Sequence, residues 1–509
     1  MLAALGIVVA GTAPAGAAPG SRPVRSCADL VRSFDVPDAR TRVASAVVVA
    51  GTPEFCDVRG TIEPGIGFQL KLPTRSYAGR YVQYGCGGFC GIIDDPGFPS
   101  GCGPAFGDAA VAATDDGHGV TPPGNGFDTT WAIGDQKARD DYFFRAPHAL
   151  SKVSKHIISV FYGKAPARSY FSGCSNGGRE GLLLAQRYPH DFDGIVVAAP
   201  GNHYSALIGY QAWIARNTIP NDKIFVLHDA VMAACDGLDG LVDGQLDDPR
   251  LCSFDPGTLA PRLTPDEIDR VRRLYAGPAD RGVRLYPGRQ PHGSELAWTF
   301  WLNPSPEIGQ AISAGLADNA LKNLVYPIGQ PGSSLESFEF TARELHRVAV
   351  EAGKADALSL DYREFRRAGG KLVLWHGAGD QGIPFEGTLD YWQRLTGGRT
   401  PDWARLFVVP SMWHCEGGDA LTEFDPLGQL VSWVEGGTAP FRVVATGRDQ
   451  EGAVVRTRPV FPYPLRARYT GSGSVDDAAN FVAAAGFGFD DRIRWAGEDL
   501  YHRPGPVAP

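Results

Sequence analysis

The sequence predicts an α/β fold: a parallel-sheet core in two halves, with a second unit inserted between them. Three observations point there. Short apolar runs end in glycine-rich loops and lead into helical patterns; the texture changes at 205–360; and the strand type returns after it. The chain has 509 residues, 43% of them hydrophobic, enough to bury a sizeable core and to exclude general disorder. Its 64 glycines and 39 prolines imply much turn and loop and speak against a helical bundle. A formal charge of -9 without a long single-sign block argues against nucleic acid as the main partner, because phosphate binding needs a clustered basic face.

Residues Met1 to Ala18, MLAALGIVVAGTAPAGAA, are an apolar run followed by small residues, the pattern of a secretory signal peptide. The basic n-region is missing, which leaves the natural start open upstream. No other uninterrupted apolar run approaches the ~18 residues of a membrane span. Nine cysteines fit an oxidising, extracellular compartment and several disulfides, with at least one thiol left over. Arg80–Tyr84 reads as a strand running into Gly85–Gly91, and Ser169–Ser172 as a second running into Gly173–Gly178 and a helix through Leu182–Arg187. Gly194–Ala199, Lys371–Trp375 and Leu406–Val409 repeat the strand type. Between 205 and 360, Asp/Gly-rich loops with scattered Trp and Tyr are best explained as a lid inserted in the scaffold. Residues 450–509, rich in Arg, Pro and Gly, read as loops and short edge elements returning to the main domain. The expected organisation is a signal peptide at 1–18, a core at 27–204 and 361–509, and a lid at 205–360.

Gly173-Cys174-Ser175-Asn176-Gly177 stands between a predicted strand and a predicted helix. G-x-S-x-G in that setting is a nucleophile elbow, whose small residues let a tight turn lift the serine hydroxyl above the sheet. Alone it is short enough to recur by chance, and its bland reading is a glycine-rich turn with a solvated serine. The N–H of Asn176 would then face a developing oxyanion at the helix start. A serine nucleophile needs a base, and the base an orienting acid, in the chain order Ser, acid, His. Asp380 follows the strand at 371–375 and His414 the strand at 406–409, both in loops at carboxyl ends, where open α/β sheets bind ligands. His376 lies too close to Asp380 to leave it an independent third member, so it takes a structural role. Asp390 falls in a helical pattern, Asp402 in a turn, and Asp419 after the histidine. Cys174 precedes the serine and Cys415 follows the histidine, so if Ser175 and His414 meet, the two sulfurs meet as well and a disulfide can brace nucleophile and base. Gly85-Cys86-Gly87-Gly88-Phe89-Cys90-Gly91 is neither a P-loop nor a dinucleotide fingerprint. It sits where a hydrolase's second oxyanion N–H originates, which points to Gly88.

These residues resemble the tannase/feruloyl esterase family of α/β-hydrolases, whose pattern is Cys-Ser, Asp and His-Cys. The matching stretches are SGCSNGGREGLLLAQRYPHDFDGIVVAAPG, HGAGDQGIP and LFVVPSMWHCEGGD, with YPG and GSELAW in the lid. The resemblance runs over 27–445 and departs from the family at Cys86 and Cys90, where relatives usually carry more glycine. It implies an α/β-hydrolase fold, a Ser175–Asp380–His414 triad and no organic cofactor. The acidic loop CDGLDGLVDGQLDD is on its own as readily a solvated turn as a Ca²⁺ loop, and it is not an EF-hand. The family's lid carries a structural Ca²⁺ site matching Asp236, Asp239, Leu241, Asp243 and Gln245, with Cys235–Cys252 closing the loop.

The expected function is a secreted serine carboxylesterase of small aromatic esters, feruloyl-type first, free or polysaccharide-linked. Gallate esters and terephthalate monoesters stay open as substrates. Trp298, Trp301 and Tyr204 are candidates for an aryl pocket, against the commoner fate of core aromatics. A rival of another class is a non-catalytic, Ca²⁺-stabilised binding protein on a hydrolase scaffold, which a serine-directed probe separates from the enzyme.

Overall fold

The computed structural model describes residues 21–93, 107–119, 126–306 and 308–502. The expected signal peptide and Cys102 lie outside them. A ten-stranded sheet forms the centre. Its first strands are β1 (Ser33–Phe34), β2 (Thr41–Val49), β3 (Phe55–Ile62), β4 (Ile66–Pro73), β5 (Arg80–Tyr84) and β6 (Ala109–Thr114). After β7 (Arg168–Cys174) and β8 (Gly194–Ala198), a small hairpin of β9 (Ala279–Asp280) and β10 (Val283–Arg284) stands apart. The sheet is completed by β11 (Lys371–Gly377) and β12 (Ala404–Val409), in the order β1-β2-β3-β4-β6-β5-β7-β8-β11-β12.

From β6 through β12 every neighbour is parallel, as the buried apolar runs predict. β8, read Gly-Ile-Val-Val-Ala, is buried along its whole length. From β1 through β4 to β6 the neighbours are antiparallel, so the sheet is mixed. The reason is local. β2 alternates buried and exposed residues over much of its length, and the turn Glu63-Pro64-Gly65 returns β3 directly as β4, which a crossover-linked parallel pair cannot do.

The helix Asn176–Arg187 packs on β7 and β8, and the helix Ala146–Tyr162 covers β3, β4 and β6. Between β8 and β11 the described chain adds no strand to the main sheet. It contributes helices instead, among them Tyr204–Arg216, Asn221–Cys235, Pro265–Ala276, Glu295–Trp301 and Ile312–Asn323. Pro265–Ala276 starts on a full capping box, with Thr264 and Glu267 satisfying each other's backbone N–H groups. The C-terminal segment folds into two separate hairpins, β13 (Val443–Arg448) with β14 (Val454–Val460) and β15 (Arg466–Tyr469) with β16 (Phe481–Ala484). Between them it meets the edge of the main sheet, where Pro462 bridges Phe407 of β12 and Tyr463 N donates to Leu406 O at 2.7 Å.

Candidate active site

β7 ends at Cys174, and Ser175 follows with φ 61° and ψ -118°, a left-handed conformation costly for a residue with a Cβ. Its surroundings enforce it. The Ser175 N–H donates to Ala198 O at 3.0 Å, and the Ser175 carbonyl accepts from Arg179 N at 3.1 Å and Gly201 N at 3.0 Å. A Cβ on Gly173 would stand 2.5 Å from the Gly177 backbone, so the first and last positions of the motif must be bare for the turn to close. The serine is therefore half-buried at the mouth of a strand–helix turn, as the motif predicts.

Asp380 lies in the loop after β11, fully buried. Its Oδ1 accepts from the N–H groups of Gly382 (2.8 Å) and Ile383 (2.7 Å). Its Oδ2 accepts from His414 Nδ1 at 2.7 Å and from His376 Nε2 at 3.0 Å. Burial pushes this carboxyl up, but the electrostatic pull of His414 and the hydrogen bonds from both histidines outweigh it and hold Asp380 well below the usual carboxylate range. His376 Nε2 also lies 2.7 Å from Ile383 O, so that nitrogen carries the proton, and Nδ1 meets Thr388 Oγ1 at 2.8 Å. His376 is thus fully occupied in holding Asp380, the structural role expected of it. His414 is arranged differently. With Nδ1–H given to Asp380, its Nε2 keeps a free lone pair, and this buried nitrogen has no hydrogen-bond partner among the described residues. Cys174 and Cys415 form a disulfide with Cα atoms 5.9 Å apart, bringing the Ser175 and His414 segments together.

Asn176 is the first residue of its helix, so its N–H has no acceptor within that helix. Across the pocket the loop after β5 turns through Gly88 at φ 57°, where a Cβ would stand 2.7 Å from Gly126 O. The N–H groups of Phe89 and Cys90 are taken by Gly126 O and Gly87 O, both at 2.9 Å, while that of Gly88 has no acceptor among the described residues. Gly88, Phe89, Ser175, Asn176, Tyr204 and Trp301 line one pocket, closed by Leu207, Ile208, Leu316, Ile383 and Gln211. The Trp301 ring meets His414 edge-on, centroids 5.0 Å apart, and its Nε1 donates to Gln211 Oε1 at 3.1 Å. Tyr204 and Trp301 thus line the same pocket as Ser175. Trp298 does not: it is fully buried and donates to Ser294 Oγ, a core residue. A wider cleft beside the C-terminal hairpins is lined by Arg250, Asp248 and Asp491, which pair with one another and offer no nucleophile.

Of the competing acids, Asp390 is buried against Arg394 and Tyr501, and Asp419 stands 3.8 Å from His228. Sequence reasoning missed Glu180, which accepts from Asn176 Nδ2 at 2.7 Å, and Tyr142, whose hydroxyl lies 3.2 Å from Asn176 Oδ1. It also missed Ser411, whose Oγ accepts from Leu246 N at 2.9 Å and so ties the histidine loop to the acidic loop. Glu180 was findable, being one helical turn after Asn176; the other two depend on contacts between distant segments.

In the acidic loop, Asp236 accepts from the N–H groups of Asp243, Gly244 and Gln245, and Asp239 from those of Leu241 and Asp247. Asp243 Oδ2 accepts from Arg458 Nη2 of β14 at 2.6 Å, and Gln245 Oε1 is buried with no partner. Cys235–Cys252 closes the loop, and Cys27–Cys56 and Cys86–Cys90 are the remaining bridges. The donors are all oxygens and one buried acceptor is unmatched, a set that fits a hard divalent cation. The carboxylates of Asp236, Asp239 and Asp243 do not, however, converge within 4.8 Å; among the described residues the group of acids and cysteines that does is Cys86, Cys90, Asp116 and Glu180.

A serine in a strained strand–helix turn after β7, with a histidine–aspartate pair delivered by the loops after β11 and β12, defines an α/β-hydrolase-type ester hydrolase. The chain belongs to the tannase and feruloyl esterase family, whose model matches residues 47–484. It is 32% identical to the mono(2-hydroxyethyl) terephthalate hydrolase of Piscinibacter sakaiensis, over 88% of this chain and 87% of that protein. It is 30% identical to the probable feruloyl esterase B-1 of Aspergillus terreus, over 84% and 85% of the two chains. The crystal structure of an esterase from Aspergillus oryzae superposes with a TM-score of 0.75, at 26% identity over 89% of this chain and 98% of that one.

Proposed function

We propose that the chain is an exported serine carboxylesterase that cleaves small aromatic esters, feruloyl-type first, through an acyl-enzyme. The carrying observation is the His414–Asp380 pair, which leaves His414 Nε2 a free base beside the Cys174–Cys415 bridge that holds Ser175. His414 takes the Ser175 proton as Oγ attacks the ester carbonyl, then returns it to the leaving alcohol. Water activated by the same nitrogen releases the acid, and Asp380 fixes the tautomer throughout. The N–H groups of Asn176 and Gly88 hold the oxyanion. An aryl acyl group fits between Trp301 and Tyr204, with Leu207, Ile208 and Ile383 around it. The 205–360 segment, which supplies Tyr204's helix and Trp301, acts as the lid. Asp236, Asp239, Asp243 and the oxygens of Leu241 and Gln245 would hold a structural Ca²⁺, which would bind the loop together and take no part in the chemistry. Four disulfides among the described residues support export.

The test is hydrolysis of methyl ferulate, methyl gallate and a terephthalate monoester by the wild type and by Ser175→Ala. Methyl ferulate should give the highest kcat/KM, and Ser175→Ala should hydrolyse none of them while melting normally. A Ser175→Ala variant with most of its activity would sink the mechanism; a preference for gallate or terephthalate would move the substrate within the family.

A further inference from the structure

Behind the pocket, two acids are buried side by side. Asp116 is 0% and Glu180 2% exposed. A carboxylate oxygen of each lies within 4.8 Å of the other and of both sulfurs of Cys86–Cys90. Asp116 Oδ1 and Glu180 Oε2 are buried with no hydrogen-bond partner among the described residues. Two buried negative charges at this separation repel strongly and need compensation. The cation beside them is Arg179, and its guanidinium is engaged elsewhere: with Asn176 Oδ1 at 2.8 Å, Phe143 O at 2.6 Å and Tyr142 O at 3.0 Å. The other titratable groups around the pair, Asp115, His118, Tyr142 and Tyr204, add no second positive charge: burial pushes Asp115 up to about 6, His118 down to about 4 and both tyrosines upward. One charge can be balanced by Arg179; the other acid keeps a proton. Burial raises both acids, Glu180 to about 7 and Asp116 well above its ordinary value.

The pair touches both sides of the oxyanion site. Glu180 Oε1 accepts from Asn176 Nδ2 at 2.7 Å, while Arg179 Nε and the Tyr142 hydroxyl hold Asn176 Oδ1, so both ends of that amide are fixed. Glu180 Oε2 also packs against Gly85 at the start of the Gly88 loop, 2.8 Å from where a Cβ on that glycine would stand. Asn176 Nδ2 further lies 3.1 Å from Cys90 Sγ at the loop's end. We infer that Asp116 and Glu180 form a proton-sharing carboxyl pair that positions Asn176 and the Gly88 loop, and with them the oxyanion N–H groups. This rests on the oxyanion assignment of Asn176 and Gly88. The cluster is not a metal site, because the disulfide occupies both sulfurs and leaves only the two carboxyl groups.

The experiment compares wild type with Glu180→Gln, Asp116→Asn and Glu180→Ala, measuring kcat and KM on methyl ferulate and melting temperature from pH 5 to 10. Gln keeps an acceptor for Asn176 and can donate to Asp116 without a second charge. Glu180→Gln should stay within about threefold of wild type near neutral pH and lose part of the wild type's alkaline decline in kcat. Glu180→Ala should lose roughly ten- to a hundredfold in kcat with KM within about twofold. The melting arm reads the pair by itself. An acid raised by folding favours the fold below its unfolded value and loses that contribution as pH rises through the folded one, so wild-type stability should fall with rising pH more steeply than that of Glu180→Gln or Asp116→Asn. Parallel melting profiles for all variants would remove the pair. A changed melting profile with unchanged kcat and pH dependence would leave the pair but overturn its positioning role. Free thiols at Cys86 and Cys90 with a stoichiometric divalent metal in purified enzyme would also overturn it. A failed oxyanion assignment is read separately: Gly88→Ala, which blocks that loop, would then leave kcat unchanged.

Discussion

At the scale of single residues, Asp380 is where geometry and electrostatics decide most. One buried oxygen takes hydrogen bonds from two histidines, which is why it stays ionised despite burial. Asp380→Asn should lower kcat on the order of 10³- to 10⁴-fold, because an amide cannot hold the Nδ1–H tautomer of His414. The stability effect has a definite sign. A carboxyl lowered by folding contributes stability above its unfolded value and loses it as pH falls, so the variant should melt below wild type at pH 7, with the gap narrowing towards acid. A gap constant with pH would contradict the charge assignment. The candidate triad could be read from the sequence because each member stands in the loop just after an apolar strand, and His376 was set aside in favour of His414 because it lies too close to Asp380 in the same loop. Glu180 and Asp116 were not legible as a pair, since 64 positions separate them and only the fold brings them together.

Among the elements, the Cys174–Cys415 bridge links the ends of β7 and the loop after β12, which are not neighbouring strands. It closes 241 positions of chain, for which the chain-entropy model gives about 5 kcal/mol as an upper figure. A Cys174→Ala, Cys415→Ala double variant should melt lower and lose roughly a hundredfold in kcat where it remains folded, because a ~1 Å displacement of His414 suffices for that. Non-reducing peptide mapping must find the bond; free thiols in active enzyme would refute the bracing role. The acidic loop is the second element with a consequence. Excess EDTA should lower the melting temperature, restored by Ca²⁺, since a ligand bound only to the native state stabilises it by mass action. The Ser411–Leu246 hydrogen bond runs from that loop to the histidine loop, so activity should fall with chelation at temperatures close below melting. An unchanged midpoint in metal-free protein would remove the site. Parallel strands were legible as continuous apolar runs, whereas β2–β4 were missed because polar residues interrupt their apolar runs, even in β4 where Gln69 and Lys71 are buried, and they lack the glycine-loop endings that marked the others.

For the whole molecule, the mixed sheet carries all the candidate groups at the carboxyl ends of its parallel half, with the 205–360 helices closing the aromatic wall over them. The stretch between β8 and β11 that adds no strand to the main sheet coincides with the change of sequence texture at 205–360. The C-terminal hairpins were not legible, because each pairs its own two strands and meets the sheet edge through the Phe407–Pro462 bridge between them, and Arg458 reaches Asp243 across 215 positions. Among the described residues no helix is long and apolar enough to cross a membrane. The central claim is that Ser175 is the nucleophile activated by His414. It is tested most directly by treating the folded enzyme with a fluorophosphonate and locating the adduct by peptide mass spectrometry. The account expects one adduct, on Ser175, forming in step with loss of esterase activity and far more slowly in His414→Ala. Full inactivation without modification of Ser175, or undiminished labelling in His414→Ala, would contradict it.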